Sequence, residues 1–465
     1  MPEKPDAAGR LGTEPAGKLL LQFSIPAITG MLAGALYNVV DRIFVGHAVN
    51  EFALGGLALV MPLMTMGMAF AMLFGIGAAN MISMRLGQGK RQDAENALNH
   101  CFLLLLAAGL VMMAFGLIFL EPILSLLGAQ EGSLALGYAR DYFRITLLGS
   151  VFFTVSFGLS HCTRAQGFPK ITMATMLIGA ILNIILDALF ILVFQWGVKG
   201  AAWATVVSQF AAAVWIVNFL ISKKPVIRLN IKSFNPSLAI VSQIMAFGSA
   251  QFLMQFVMSA VQLLYNKSMG WYGAAGLGVP YGGDIALSGI NIYFSFLMLV
   301  MMPVFGINQG AQPILGFNYG AKKFRRVFSV YIKAITAATV ICILGFAAIQ
   351  LFSVPIVLLF APEANPALMY FAPQAMRTMS LLLPLAGFYI VSANFFVVTG
   401  RPKISIFLSM LRQCIVLIPC ILIFGRFFGL WGVIFAAPVA DAFAVICTAV
   451  LIFFEIRKLL KAENL

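Results

Sequence analysis

Apolar residues run in long blocks along this chain, and the polar residues gather in short breaks between them. Twelve such runs stand out: 19–46, 53–83, 97–120, 138–162, 171–194, 199–221, 239–266, 282–314, 327–352, 372–398, 404–424 and 429–454. At about 1.5 Å per helical residue, each is long enough to cross about 30 Å of hydrocarbon. The alternation over about ten residues that marks a transmembrane β-strand is absent. The pattern predicts an all-α polytopic membrane protein with twelve transmembrane helices.

The longest polar break, "SKKPVIRLNIKSFNPS", carries two prolines and four basic residues and falls between runs six and seven. It divides the chain into a tail (1–18), an N-lobe (19–221), a linker (222–238), a C-lobe (239–454) and a second tail (455–465). The lobes resemble each other. "RAQGFPK" (164–170) aligns with "VVTGRPK" (397–403), "GVKGAAWA" (197–204) with "GLWGVIFA" (429–436), and "GIGAANMISMRLGQGK" (75–90) with "GINQGAQPILGFNYGA" (306–321). Three anchors in chain order at nearly one offset define an internal repeat. Six spans per unit give both units the same orientation, so the predicted relation is a parallel pseudo-two-fold along the membrane normal. The shared Gly-Pro-Lys is most simply a tight turn ending one helix and starting the next.

Composition sharpens the membrane reading. Hydrophobic residues make up 61% of the chain and charged residues only 10%, against about 25% charged in soluble domains. A formal charge of +14 suggests nucleic acid until its distribution is read. The even-numbered junctions, the span ends beside them and the termini hold 22 of the 30 lysines and arginines. That bias is the positive-inside pattern, which predicts cytoplasmic termini and no nucleic-acid partner. The first apolar run is too long for a secretory leader. The six cysteines lie in or beside spans and read as small buried hydrophobes. No phosphate-binding loop, metal-ligand cluster or nucleophile triad is suggested, so the chain does not read as an enzyme, and an ion gradient is the remaining driver.

Ionisable residues inside spans are the candidate chemistry, because each costs on the order of 2.5–3.5 kcal/mol to insert. Asn183 and Asp187 in "NIILD" are i and i+4, so amide and carboxylate share a helix face. Counted from the span ends, Asp187 lies about 24 Å in and Thr205 about 9 Å from the opposite side, at comparable depth, with Asp41 near the same level. Such oxygens suit a proton or a hard cation; an interhelical hydrogen bond is the plainer reading. Pro26, about four turns before Asp41, removes a helix hydrogen bond and can bend the first span. Arg412 and Asp441 fall about 12 Å and about 18 Å deep in spans eleven and twelve, and the cost of an unpaired arginine predicts that they pair. Methionines in "MPLMTMGMAFAML" and "FLMLVMMPVF" suit a cavity of adaptable shape or ordinary packing. "GMLAG" (30–34) suits close helix packing.

Together with "YNVVDRIFVGH" (37–47), these features make residues 15–460 resemble the multidrug and toxic compound extrusion (MATE) family, in its bacterial MepA- and DinF-like branch. The resemblance implies a secondary active antiporter in the bacterial inner membrane. It would export organic, often cationic, drug-like molecules in exchange for H+ or Na+, with no cofactor. It further implies that the aspartate at Asp41 serves ion coupling, and that Asn183, Asp187, Thr205 and Tyr142 form a cation or protonation network. Na+ would lie at Asn183, Asp187 and Thr205. Ser160 stands where some members have an asparagine, a departure from the sodium-site pattern. Protonation of Asp41 biasing a bend at Pro26 would link the ion to the access state. Membrane lipid is the surrounding partner, and a self-contained two-lobe pathway needs no second subunit. A lipid-linked oligosaccharide flippase from a related group is the alternative; it would need a strongly cationic cavity.

Overall fold

The computed structural model describes residues 7–48, 51–126, 134–230, 232, 234–274, 282–362 and 365–463. Among them, helices follow one another in chain order. They are α1 (Ala16–Ala48), α2 (Glu51–Gly87), α3 (Arg91–Ile118), α4 (Leu120–Leu126), α5 (Leu134–Ala165), α6 (Pro169–Asp187), α7 (Gly197–Ile221), α8 (Leu238–Ala274), α9 (Gly282–Gly320), α10 (Phe324–Phe360), α11 (Pro366–Met379), α12 (Ala386–Val398), α13 (Pro402–Met410) and α14 (Ile418–Glu463). Two π-helical stretches interrupt the pattern, Ala188–Val193 after α6 and Leu411–Leu417 after α13.

Among the described residues, ten helical stretches are long and apolar enough to cross a membrane, and the bent pair Pro366–Met379 and Leu383–Val398 makes an eleventh. The stretch Pro402–Leu459 has 58 residues, about 87 Å if it were one straight helix and far more than a bilayer needs. Gly429 breaks it, with φ 61° and ψ −140°, and leaves a span on either side. Twelve spans result. Large apolar side chains such as Leu344, Leu359 and Phe454 stay exposed on these helices, as lipid-facing positions require.

The chain forms two compact units, Met1–Gln255 with Gly316–Ala321, and Phe256–Leu315 with Lys322–Leu465. The first unit therefore takes in the opening half of α8 and the last residues of α9. Glycines explain the close fit of α8. A methyl group on Gly77 of α2 would overlap the Ile244 carbonyl, and one on Gly248 of α8 would overlap the Leu73 carbonyl. The two backbones touch reciprocally. Because the obstacle is backbone and cannot rotate away, Gly248→Val is expected to cost about 3 kcal/mol, the upper end of overpacking penalties. Gly179→Ala, whose added carbon would meet only the Ala212 Cβ at 3.9 Å, is expected to leave stability unchanged or raised. Thermal unfolding of both variants in detergent checks the contrast.

The repeated Gly-Pro-Lys element forms the same turn in each unit. Gly167 and Gly400 take φ 99° and 77°, and Pro169 and Pro402 begin α6 and α13, where a missing N–H breaks no helix hydrogen bond. The connection after α7 lies against the first unit as a bent strap, which the Leu229 N–H closes back onto the Leu220 carbonyl at 3.0 Å. Pro225, Val226, Ile227 and Leu229 are buried, whereas Lys223, Lys224 and Arg228 face outward. Side chains of the bundle tie its backbone. Asn99 donates to the Asn230 carbonyl and accepts from its N–H, both at 3.0 Å. Gln166 Oε1 accepts from Ile227 at 3.1 Å, and Arg91 donates to the Val226 carbonyl. The Ser237 N–H donates to His100 Nε2 at 3.0 Å. The N-terminal segment also packs inward: Ala8 and Leu11 are buried, and Asn318 donates to the Leu11 carbonyl at 2.9 Å.

Candidate functional site

Four helices of the first unit meet around the predicted cluster. α1 packs on α6, on α7 and on the π turn after α6, while α5 packs on both α6 and α7. Each supplies a polar side chain: Asp41 from α1, Tyr142 from α5, Asn183 and Asp187 from α6, and Thr205 from α7. All five are buried. Asn183 Nδ2 donates to Thr205 Oγ1 at 3.4 Å, and the Tyr142 phenol lies close to the Thr205 hydroxyl. Engaging its nitrogen on Thr205 orients the Asn183 carbonyl oxygen away from that bond. One helical turn on, Asp187 is wholly buried, and Asp41 is close enough to interact electrostatically with both Asp187 and Tyr142.

The oxygens are short of donors. Both carboxylate oxygens of Asp187, one of Asp41 and the amide oxygen of Asn183 are buried with no hydrogen-bond partner among the described residues. A buried carboxylate without donors is a high-energy arrangement as a bare anion. Binding a proton or a cation relieves it. Arg42, beside Asp41, directs its guanidinium to the Met61 sulfur at 3.5 Å, and Asp41 Oδ1 has no hydrogen-bond partner. The π turn starts directly after Asp187; wide turns of this kind often occur at functional positions within helices.

Ser160 lies elsewhere. Its hydroxyl donates to the Ser156 carbonyl at 2.7 Å, and its own carbonyl accepts from Thr172 at 3.0 Å, near the start of α6. Asp187 is fifteen residues farther along α6, about 22 Å away along the axis. The serine is therefore not a member of the cluster. Pro26 is buried within a continuous α1. One turn later Gly30 meets α6 so closely that a Cβ there would lie 2.4 Å from Met176 Sδ, whereas one on Gly34 would touch nothing within 4 Å.

In the second unit, Arg412 and Asp441 form an ion pair, with Nε to Oδ1 at 2.6 Å. The guanidinium lies 5.3 Å from the centroid of the Tyr389 ring, within cation–π range. Tyr265 and Tyr293 are also in electrostatic reach of both charges. Sequence reasoning missed this tyrosine shell, although three tyrosines in otherwise apolar spans were a usable signal. It also missed Tyr37, one turn before Asp41 in the same motif and in electrostatic reach of Tyr142. A second missed pair joins Arg401, the arginine of the Gly-Arg-Pro-Lys turn, to the buried Glu455 of α14. Among the described residues no group of three or more His, Cys, Asp or Glu side chains could hold a metal ion.

Twelve spans with buried carboxylates inside one bundle and an ion pair inside the other define a polytopic transporter. The comparisons with known proteins name its kind. The MatE family profile matches residues 26–189 and 250–423, well over half of the chain, and the chain belongs to that family. It is therefore a transporter rather than an enzyme. It is 27% identical over 452 residues to the multidrug export protein MepA of Staphylococcus aureus (strain MRSA252), covering 97% of this chain and 96% of that one. Its fold matches an outward-facing multidrug resistance MATE family transporter of the MOP superfamily with a TM-score of 0.89, at 25% identity over 99% of this chain and 100% of that chain. A crystal structure of a MATE protein in the bent conformation matches with a TM-score of 0.90, at 25% identity and 99% of both chains.

Proposed function

We propose that the protein is a secondary active multidrug exporter, releasing organic, often cationic compounds in exchange for inward H+ or Na+ by alternating access. The observation that carries this reading is the group of buried oxygens on Asp41, Asn183 and Asp187 without hydrogen-bond donors. Such a group holds a proton or a bare cation far better than it holds nothing. An ion that binds one access state more tightly than the other shifts the balance between them. Thr205 and Tyr142 position the amide beside the carboxylate, and Na+, if it is the ion, would be held by Asn183, Asp187 and Thr205. Pro26 would let α1 respond to the charge on Asp41. The lysine and arginine bias supports cytoplasmic termini in a bacterial inner membrane, and each chain would work as a monomer.

The flippase alternative is the weaker reading. Arg412, well inside its span, is engaged by Asp441, which leaves little net positive charge for a pyrophosphate. The test is efflux of a fluorescent organic cation from proteoliposomes under separate proton and sodium gradients. Flux driven by one gradient identifies the coupling ion. No flux under either, with folded protein and several dyes, would overturn the reading and lead to a lipid-translocation assay.

A further inference from the structure

The strap after α7 is held more tightly than a connection between two helices requires. The Leu229 N–H donates to the Leu220 carbonyl, so the chain leaves α7 and returns to its end in a closed loop. Pro225, Val226 and Ile227 are buried within the loop, while Lys223, Lys224 and Arg228 are exposed on it. Ser222 fixes the first step. Its hydroxyl accepts from the Lys224 N–H at 3.3 Å and donates to the Phe219 carbonyl at 2.7 Å. Gln166 and Arg91 fix the far side through Ile227 and Val226. A fourth cation comes from the neighbouring helix. The Phe168 ring meets the Phe219 ring edge-on at 5.2 Å, which sets the start of α6, with the exposed Lys170, beside the end of α7. The stretch 222–237 contains no acidic residue.

The positive-inside bias needs only a number of cations on one side of the membrane, and mobile lysines would serve it as well. It does not account for a backbone pinned along its length. Charges fixed in advance on one face lose little freedom when an anion arrives. Each cation at a span end also strengthens attraction to an anionic leaflet by about fivefold. The face of α7 that leads to this loop is apolar. Val207, Phe210, Val214 and Ile221 are exposed, and their spacing of three, four and seven residues puts them along one side of the helix. An apolar stripe that ends in a cluster of cations is complementary to an amphiphile with an anionic head. We infer that the loop bearing Lys223, Lys224 and Arg228, together with Lys170, is a binding site for an anionic phospholipid. The lipid phosphate takes charge-assisted hydrogen bonds from the ammonium and guanidinium groups, and an acyl chain runs along the α7 stripe. An acidic protein segment would use the cations and leave the stripe idle. The site stands apart from the export reading, since it requires neither a coupling ion nor a drug.

Binding of a fluorescent phosphatidylglycerol, set against the matching phosphatidylcholine, to the full-length protein in uncharged detergent tests it. Wild type is expected to prefer phosphatidylglycerol by about tenfold or more, and the preference shrinks with added salt. Lys223→Gln/Lys224→Gln/Arg228→Gln changes three exposed side chains, leaves the buried ties in place and is expected to abolish the preference. Lys403→Gln/Arg457→Gln/Lys458→Gln removes the same charge from exposed positions of the second unit and is expected to leave most of it. Asn99→Ala/Gln166→Ala keeps every cation but deletes the side-chain ties to Asn230 and Ile227. It is expected to lower the preference several-fold, which charge alone would not do. Wild type without a preference, equal losses in the two triple variants, or full preference in the strap triple or in Asn99→Ala/Gln166→Ala would each overturn the site. Polyglutamate that displaces the lipid and depends on the same strap cations would give the surface to an acidic protein segment and overturn the lipid assignment.

Discussion

Replacing Asp187 by asparagine is expected to lower gradient-driven export on the order of 100-fold, the upper end of coupling energies between linked sites. The amide has nearly the same shape, so the helix contacts of α6 survive. What disappears is the carboxylate that can gain and lose a proton or bind a cation. Asp187 is wholly buried and both its oxygens lack donors, so no neighbouring group replaces the lost charge. Asp41→Asn is expected to act in the same direction, since its carboxylate interacts with that of Asp187. Thr205→Ala, which releases the Asn183 amide, is expected to weaken coupling by a smaller factor. Flux in proteoliposomes measures the loss, and dye binding to the same protein separates it from a failure of substrate recognition. Wild-type flux in Asp187→Asn would remove this residue from the mechanism.

The second large effect concerns stability. Asp441→Ala leaves the largely enclosed Arg412 guanidinium without its counter-ion, a change that costs up to about 3–5 kcal/mol for a fully buried pair. The same principle gives the opposite result for the hydrophobic double variant Arg412→Met/Asp441→Leu, which removes both charges and their desolvation together. It is expected to recover most or all of the loss. Thermal unfolding in detergent compares the two. A single variant as stable as wild type would show that Arg412 has another partner of equal strength.

The long features of this chain were legible because they are local. A run of twenty apolar residues declares a span wherever its neighbours lie, and the offset between "RAQGFPK" and "VVTGRPK" is visible without any coordinates. The i, i+4 spacing of Asn183 and Asp187 also placed them on one face before Thr205 was located. Side-chain partners between distant segments were harder to read. Nothing in the spacing showed that Asn183 would engage Thr205 through its nitrogen, or that Tyr265, Tyr293 and Tyr389 would gather about Arg412. Ser160 shows the limit in the other direction: it lay on a plausible span, but its turn of α5 is level with the start of α6, not with Asp187. The π turns were unreadable for a related reason, since they arise from how a helix meets its neighbours. Glycine was informative only where a backbone came close. Gly77 and Gly248 mark the α2–α8 crossing, while Gly34 marks open space.

The strap between α7 and α8 bears on how the chain would meet a protease. Lys223, Lys224 and Arg228 are exposed, which makes the strap an obvious trypsin target in composition. A protease must draw several residues into extended register within its cleft, however, and this backbone is already tied to Asn99, Gln166, Arg91 and His100. Cleavage there has to wait for local opening. Brief tryptic digestion of the native protein should therefore spare the strap and leave both halves on one polypeptide. Asn99→Ala, which deletes two of the ties at once, should release a pair of half-length fragments.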